Sequence, residues 1–320
     1  MAKQRYEHLI KPLSSGRFSR EEAVGGQVPF TQVPGVGEQT FWLNGRENLE
    51  GMDISFTWAT HNDFGLWHGG RALHSHPYPE VHFYVGLDTA AINYLGAEIE
   101  TRLGEEQEVY TFSEPSVIII PAGLPHGPTV TKRIYSPRGF GFYSAALTSS
   151  IKTGWLESAA KAAAGSKYKK LVKPLKDYIV TQRGKSVKPL KADSPMQLGP
   201  GNADHLAWLY GKDLEGLAVN CDWGFFSSPG LWHRGVGAHV HDSDEVLVFA
   251  GTDPARMNYL GAEIEIDMGK EHERYLIDKP SVVVLPAGTP HGPIVTRWVD
   301  RPFALFSINR AAEPGMKFVE

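Results

Sequence analysis

One set of residues, His74, His76, Glu80 and His126, returns 165 residues later as His239, His241, Glu245 and His291 with no gap inside the copy. The flanking sequence repeats with it. Asn93 to Glu100 recurs letter for letter as Asn258 to Glu265, and Pro121-Ala122-Gly123-Leu124-Pro125-His126-Gly127-Pro128 recurs as Pro286-Ala287-Gly288-Thr289-Pro290-His291-Gly292-Pro293. Gly65-Leu66-Trp67-His68 matches Gly230-Leu231-Trp232-His233, and a fainter echo pairs Tyr6 and Lys11-Pro12-Leu13 with Tyr168 and Lys173-Pro174-Leu175. A period of half the chain is too long for a solenoid or propeller repeat, so the repeated unit is a domain. Two tandem copies of one fold account for the 320 residues.

The balance is that of a folded soluble protein: 42% hydrophobic and 21% charged residues, with a net charge of -4 that gives nucleic acid no electrostatic foothold. Cys221 is the only cysteine, so no intramolecular disulfide forms and the expected compartment is the cytoplasm. Met1 to Gly16 lacks the apolar core of a signal peptide, and no segment reaches the ~18 apolar residues of a membrane span. Partners are therefore expected among small molecules, with neither nucleic acid nor membrane, and homo-oligomerisation is left open.

Strand signals dominate each copy. Val117 to Ile120 and Val282 to Leu285 are β-branched runs closed by Pro-Ala-Gly, while Glu80 to Val85 and Glu245 to Ala250 mix aromatic and branched residues ahead of Gly86 and Gly251. Many short strands with Gly and Pro turns predict an all-β barrel or sandwich per half. The expected domains are 1–150 and 192–320. Between them, Trp155 to Ala164 is rich in helix formers and meets Gly165, which predicts a short linking helix, and Lys167 to Lys191 reads as a solvated lysine-rich linker.

Side chains alternate faces along a strand, so His74 and His76 point to one side and can grip one ion. Glu80 follows after Pro77-Tyr78-Pro79, a turn that returns the chain on a neighbouring strand, and His126 follows a rigid Pro-Ala-Gly-X-Pro bend. Imidazole and carboxylate suit Zn, Fe, Ni, Cu or Mn. The pattern His-X-His, three residues, Glu, six residues to Gly, then Pro-X-Gly-X-X-His resembles the two motifs of the cupin superfamily, and its repetition resembles a bicupin. That resemblance covers both halves. It implies two tandem double-stranded β-helix (jelly-roll) barrels, each holding a divalent ion through three His and one Glu, up to two per chain, with Fe or Mn favoured and Zn or Ni as further options. The glycine that the family carries six positions before the first ligand is replaced here by His68 and His233.

Other repeated residues were weighed against structural roles. His68 and His233 are expected either as supporting residues at the barrel mouth or as an acid or base touching substrate. Lys132 and Arg297 offer a cation to a substrate carboxylate or a charge on a barrel rim, and Glu98 and Glu100 a solvated strand face opposite Ala97 and Ile99. Trp58 and Trp223 read as core. If the strand continues beyond Glu80, His82 and Tyr84 share its inward face, where the second copy has Leu247 and Phe249. Chemistry is therefore expected at the first centre, with His82, Tyr84 and His68 as its acid or base candidates, and the second centre is expected to be greasy and structural or slower.

Fold does not give reaction. The resemblance points first to a dioxygenase-type oxidoreductase acting on a small oxygen-rich chelator such as a hydroxy-acid, enediol, diketone or phenol. The alternatives are a redox-neutral lyase or decarboxylase, isomerase or hydrolase, and, in another class, a non-catalytic small-molecule binder.

Overall fold

The repeated strand signals build two β-sandwiches of one pattern in the computed structural model, which describes residues 4–13, 39–67, 73–91, 93–157, 162–175, 202–232, 237–313 and 315–319. The chain divides into two units, Ser15–Leu175 and Lys176–Glu320 together with Met1–Ser14. Among the described residues no helix is long and apolar enough to cross a membrane.

In the first unit, one six-stranded sheet runs Val172–Pro174, Ser116–Ile120, Glu80–Gly86, Phe140–Ala146, Ser55–His61, Gln39–Leu43. The other sheet carries the remaining site strands, in the order Gly154–Trp155, His74–Ser75, His126–Ile134, Ala97–Leu103, Glu108–Phe112, Ala163–Ala164. Ala97–Leu103 alternates buried and half-buried positions, the signature of a strand with one wet face. Ala97 and Ile99 are fully buried while Glu98 and Glu100 face outward, as expected. The continuous apolar run of Ser116–Ile120 is buried at every position. Trp58 is buried in the core, and Phe83 stacks on Tyr143 at 4.0 Å.

The second unit repeats the plan. Ser281–Leu285, Glu245–Gly251, Phe303–Asn309, Asn220–Phe226 and His205–Leu209 follow one another in one sheet; Glu273–Ile277, Ala262–Met268, His291–Val299, His239–Val240 and Lys317–Phe318 form the other. The edge of its first sheet is closed by the N-terminal strand Ile10–Pro12, with Ile10 opposite Val283 and Pro12 opposite Ser281. In the first unit Val172–Pro174 does the same work, with Val172 opposite Ile118 and Pro174 opposite Ser116.

The two edge strands are anchored alike. Tyr6 N–H donates to Tyr275 Oη and Tyr168 N–H to Tyr110 Oη, each at 2.8 Å. Leu13 N–H donates to the Pro280 carbonyl at 2.7 Å and Leu175 N–H to that of Pro115 at 2.8 Å. The faint echo of Tyr and Lys-Pro-Leu in the sequence is thus a repeated edge strap.

This corrects three expectations. The N-terminal segment, assigned to a first domain spanning 1–150, belongs with the C-terminal unit because its strand completes that sheet. The lysine-rich stretch is not a solvated linker where it is described: Lys169–Leu171 is a 3-10 turn and Val172–Pro174 a paired strand, while 176–191 lies outside the described residues. The helix expected over Trp155 to Ala164 is replaced at both ends by strands, since Trp155 pairs with His74 and Ala163 with Glu108. Sheet-edge hydrogen bonds outweigh helix propensity there, as tertiary context commonly does; residues 158–161 lie outside the described residues.

Candidate metal centres

His74 and His126 sit directly opposite each other on paired strands, and His239 and His291 repeat the arrangement. Their ring centroids lie 4.1 Å apart in the first unit and 4.2 Å in the second. His76 stands 5.1 Å from His74, as His241 does from His239. The turn after His76 delivers Glu80 to the same place: its Oε2 is 3.5 Å from His76 Nε2 and 4.0 Å from His126 Nε2. In the second unit Glu245 Oε2 is 3.4 Å from His241 Nε2 and 3.2 Å from His291 Nε2. All eight sequence-predicted ligands are brought together in two clusters.

Backbone carbonyls aim the rings. His126 Nδ1–H donates to Leu124 O and His291 Nδ1–H to Thr289 O, both at 3.0 Å, a bond built into the Pro-Ala-Gly-X-Pro bend. His76 Nδ1–H donates to Lys152 O at 2.8 Å and His241 Nδ1–H to Gly315 O at 2.7 Å. Each of these rings turns its Nε2 toward the carboxylate of its cluster, the orientation that metal-binding imidazoles adopt. The buried Tyr78 adds a brace, its hydroxyl lying 3.2 Å from His76 Nδ1 and accepting from Lys152 N–H at 3.0 Å. Backbone partners and Tyr78 carry no motif, and sequence reasoning missed them.

The donor set fits a divalent ion. One ring nitrogen from each histidine of a trio lies within 4.8 Å of the others, and the same holds for a carboxylate oxygen of Glu80 with ring nitrogens of His82 and His126. Ligands at ~2.1 Å from one ion stand roughly 3 to 4 Å apart. His126 Nε2 is buried with no hydrogen-bond partner, a costly state unless something occupies the space it faces. Burial drives His126 down to about 3, with His82 adding to the effect, so it is neutral as a ligand must be. Burial alone would raise Glu80, but His82, His76 and His126 outweigh it and hold the carboxyl well below its ordinary range. Burial likewise pushes Glu245 up, and His291, His241 and His239 reverse this to about 2.

His82 lies on the inward face, as its parity with Glu80 predicts, with Nε2 3.1 Å from Glu80 Oε2 and its ring 5.9 Å from that of His126. Tyr84, its companion, is fully buried, its ring 5.0 Å from Phe112 and 5.3 Å from Phe142, and burial raises its hydroxyl. Tyr84 thus packs among aromatic rings. Lys132 and Arg297 turn outward and pair with Glu100 and Glu265, which leaves the rim reading rather than a cation for substrate. His68 and His233 lie outside the described residues.

In the second unit Leu247 and Phe249 are buried at the places of His82 and Tyr84. The pocket is nonetheless not wholly greasy. Asp222 stands in register with Ser307, and Ser307 with Leu247. Ser307 thus lies beside the Asp222 carboxyl, and its hydroxyl donates to Glu245 Oε1 at 3.4 Å. Burial, with the charge of Glu245 behind it, pushes Asp222 up to about 7. Its signal was an acid between Cys221 and Trp223 in an otherwise apolar strand, at the place where the first copy has Thr57.

No protein-family model matches the sequence, and no curated relative matches it. Among solved structures, oxalate decarboxylase from Bacillus subtilis at pH 4.6 superposes with a TM-score of 0.55 at 11% identity, over 92% of this chain and 80% of that one. The chain has the bicupin fold. A structure of the same enzyme used to assign its Mn(II) centres gives a TM-score of 0.54 at 11% identity, covering 92% of this chain and 81% of that one. At such identity the likeness is one of fold. Within that fold the two clusters described above are groups that could hold a metal ion.

Proposed function

We propose that this bicupin is a metal-dependent enzyme acting on a small oxygen-rich molecule that chelates the ion, and that the reaction is redox-neutral, of the lyase or decarboxylase class. The observation that carries this reading is the first cluster: three imidazoles and a carboxylate, with a further imidazole, His82 Nε2, 3.1 Å from the ligand Glu80. His74, His76, Glu80 and His126 would hold the ion, which would supply Lewis acidity to a chelated oxygen. His82 then stands beside the bound molecule as a group that holds or moves a proton at Nε2, the commonest side chain for that task. Leu247 leaves the second centre without this imidazole, so the first is assigned the chemistry.

Dioxygen chemistry, the leading expectation from sequence, gives way as the first reading because the similar folds include oxalate decarboxylase. The Mn(II) centres of that enzyme favour Mn here; Fe has no such support. The deciding experiment is to incubate Mn(II)-loaded protein with a panel of small carboxylates and hydroxy-acids while following carbon dioxide release and dioxygen consumption. Carbon dioxide release without matching dioxygen uptake is expected. Uptake in step with substrate loss would restore the dioxygenase reading, and binding of the acids without turnover would leave a binder.

A further inference from the structure

The second barrel contains a carboxyl side chain outside its candidate ligand set. Asp222 lies on the strand Asn220–Phe226, opposite Ser307, whose hydroxyl reaches Glu245, so the carboxyl points into the barrel interior beside the ligand set. One of its oxygens, Oδ1, is buried with no hydrogen-bond partner. The residues in register with Asp222 on the two flanking strands are Ser307, whose hydroxyl donates to Glu245, and Trp208, and neither supplies Oδ1 with a hydrogen bond. A buried carboxyl oxygen left without a donor bears the desolvation cost of that group, which a ligand's donor relieves. The first barrel places Thr57, His82 and Ser144 at the corresponding positions, with no carboxyl among them.

We propose that Asp222 is the specificity-determining residue of the second centre, accepting at Oδ1 a hydrogen bond from a hydroxyl of the chelated molecule. The ligand class follows from the geometry. Two oxygens of the molecule chelate the ion, and a third oxygen, on an adjacent carbon, carries the hydrogen that Oδ1 lacks. That describes a polyhydroxy acid rather than a simple hydroxy-acid. The inference rests on the reading of His239, His241, Glu245 and His291 as a metal centre, and it gives the two barrels different ligand preferences.

Glycolate and glycerate form the matched pair for a test, since both chelate through a carboxylate and its neighbouring hydroxyl while only glycerate has a further hydroxyl. The full chain carrying His126→Ala, which opens the first centre, is loaded with Mn(II), its metal content is measured, and binding of each acid is followed by calorimetry. Glycerate is expected to bind at least tenfold more tightly than glycolate. Asp222→Ala added to that background should bring the ratio to near one with glycolate affinity changed less than threefold. Asp222→Thr, which installs the residue the first barrel tolerates at this place, should do the same if the alanine variant folds poorly. Retained Mn(II) with equal affinities, no binding of either acid, or a ratio that survives both substitutions overturns the assignment of Asp222. Absence of Mn(II) after loading overturns the metal reading itself, and the Asp222 assignment with it.

Discussion

His82 Nε2 and Glu80 Oε2 lie 3.1 Å apart, two residues along one strand, so an imidazole outside the predicted ligand set touches the carboxylate of the first cluster. Replacing His82 with Leu, the residue of the second barrel at this place, should lower turnover by ~10²-fold or more, the usual cost of losing a general acid or base, with metal content unchanged. In the same assay His239→Ala should spare more activity than His74→Ala. If His239→Ala abolishes turnover and His82→Leu does not, the chemistry belongs to the second barrel.

Metal loading should approach two ions per chain by elemental analysis. His126→Ala and His291→Ala should each remove one, because either change opens a coordination position to solvent. A double variant that still retains two ions contradicts both sites.

Acid should remove a stabilising contribution from the metal-free protein. Burial holds His126 at about 3 in the folded state against its ordinary 6.5, so between these values the unfolded chain binds a proton that the folded chain does not. This contribution therefore falls as pH drops below about 6.5. Glu245, held at about 2 against 4.5, adds a loss of the same sign below about 4.5. Asp222, raised to about 7 against 3.8, has the opposite sign: between those values the folded chain binds the extra proton, and stability rises as pH falls. With Asp222 replaced by Asn, urea midpoints of chelator-treated protein should decline from about pH 7 to about pH 4, and adding His126→Gln should flatten the upper part of that decline. A midpoint of the Asp222→Asn variant that stays level or rises as pH falls to 5 contradicts the sign.

The edge straps should contribute to stability. Leu13 is buried at the end of the N-terminal strap, and Leu13→Ala should cost about 2 to 4 kcal/mol, as large-to-small changes at buried sites do. Thermal unfolding should show the loss, and Leu175→Ala, at the matching place, should show one of similar size. A variant within about 0.5 kcal/mol of the parent, the range of ordinary surface changes, would mean that the strap adds little.

The ligand sets were legible because spacing encodes them locally: two His at strand alternation, a turn bounded by prolines before Glu80, and a bend that fixes His126. The β-branched runs at Ser116–Ile120 and Ser281–Leu285 gave the core strands for the same reason. What escaped depends on distant partners. Ile10 meets Val283 and Asp222 meets Ser307, pairings that no local window contains. The carbonyls of Lys152 and Gly315, which orient His76 and His241, leave no trace in side-chain identity. Trp155 to Ala164 misled because alanine-rich sequence favours a helix until a sheet edge offers its ends a partner.

The straps also separate the unit of repetition from the unit of architecture. In chain order each repeat begins with the segment that closes the other repeat's barrel: 4–13 comes before the first barrel and seals the second, and 166–175 comes before the second and seals the first. A break at the repeat boundary just ahead of Ser166 therefore sends each half away with its sibling's closing piece. Modular recombination, fragment expression or circular rearrangement of this chain has to follow the architecture, because a lone repeat carries the right parts in the wrong assignment.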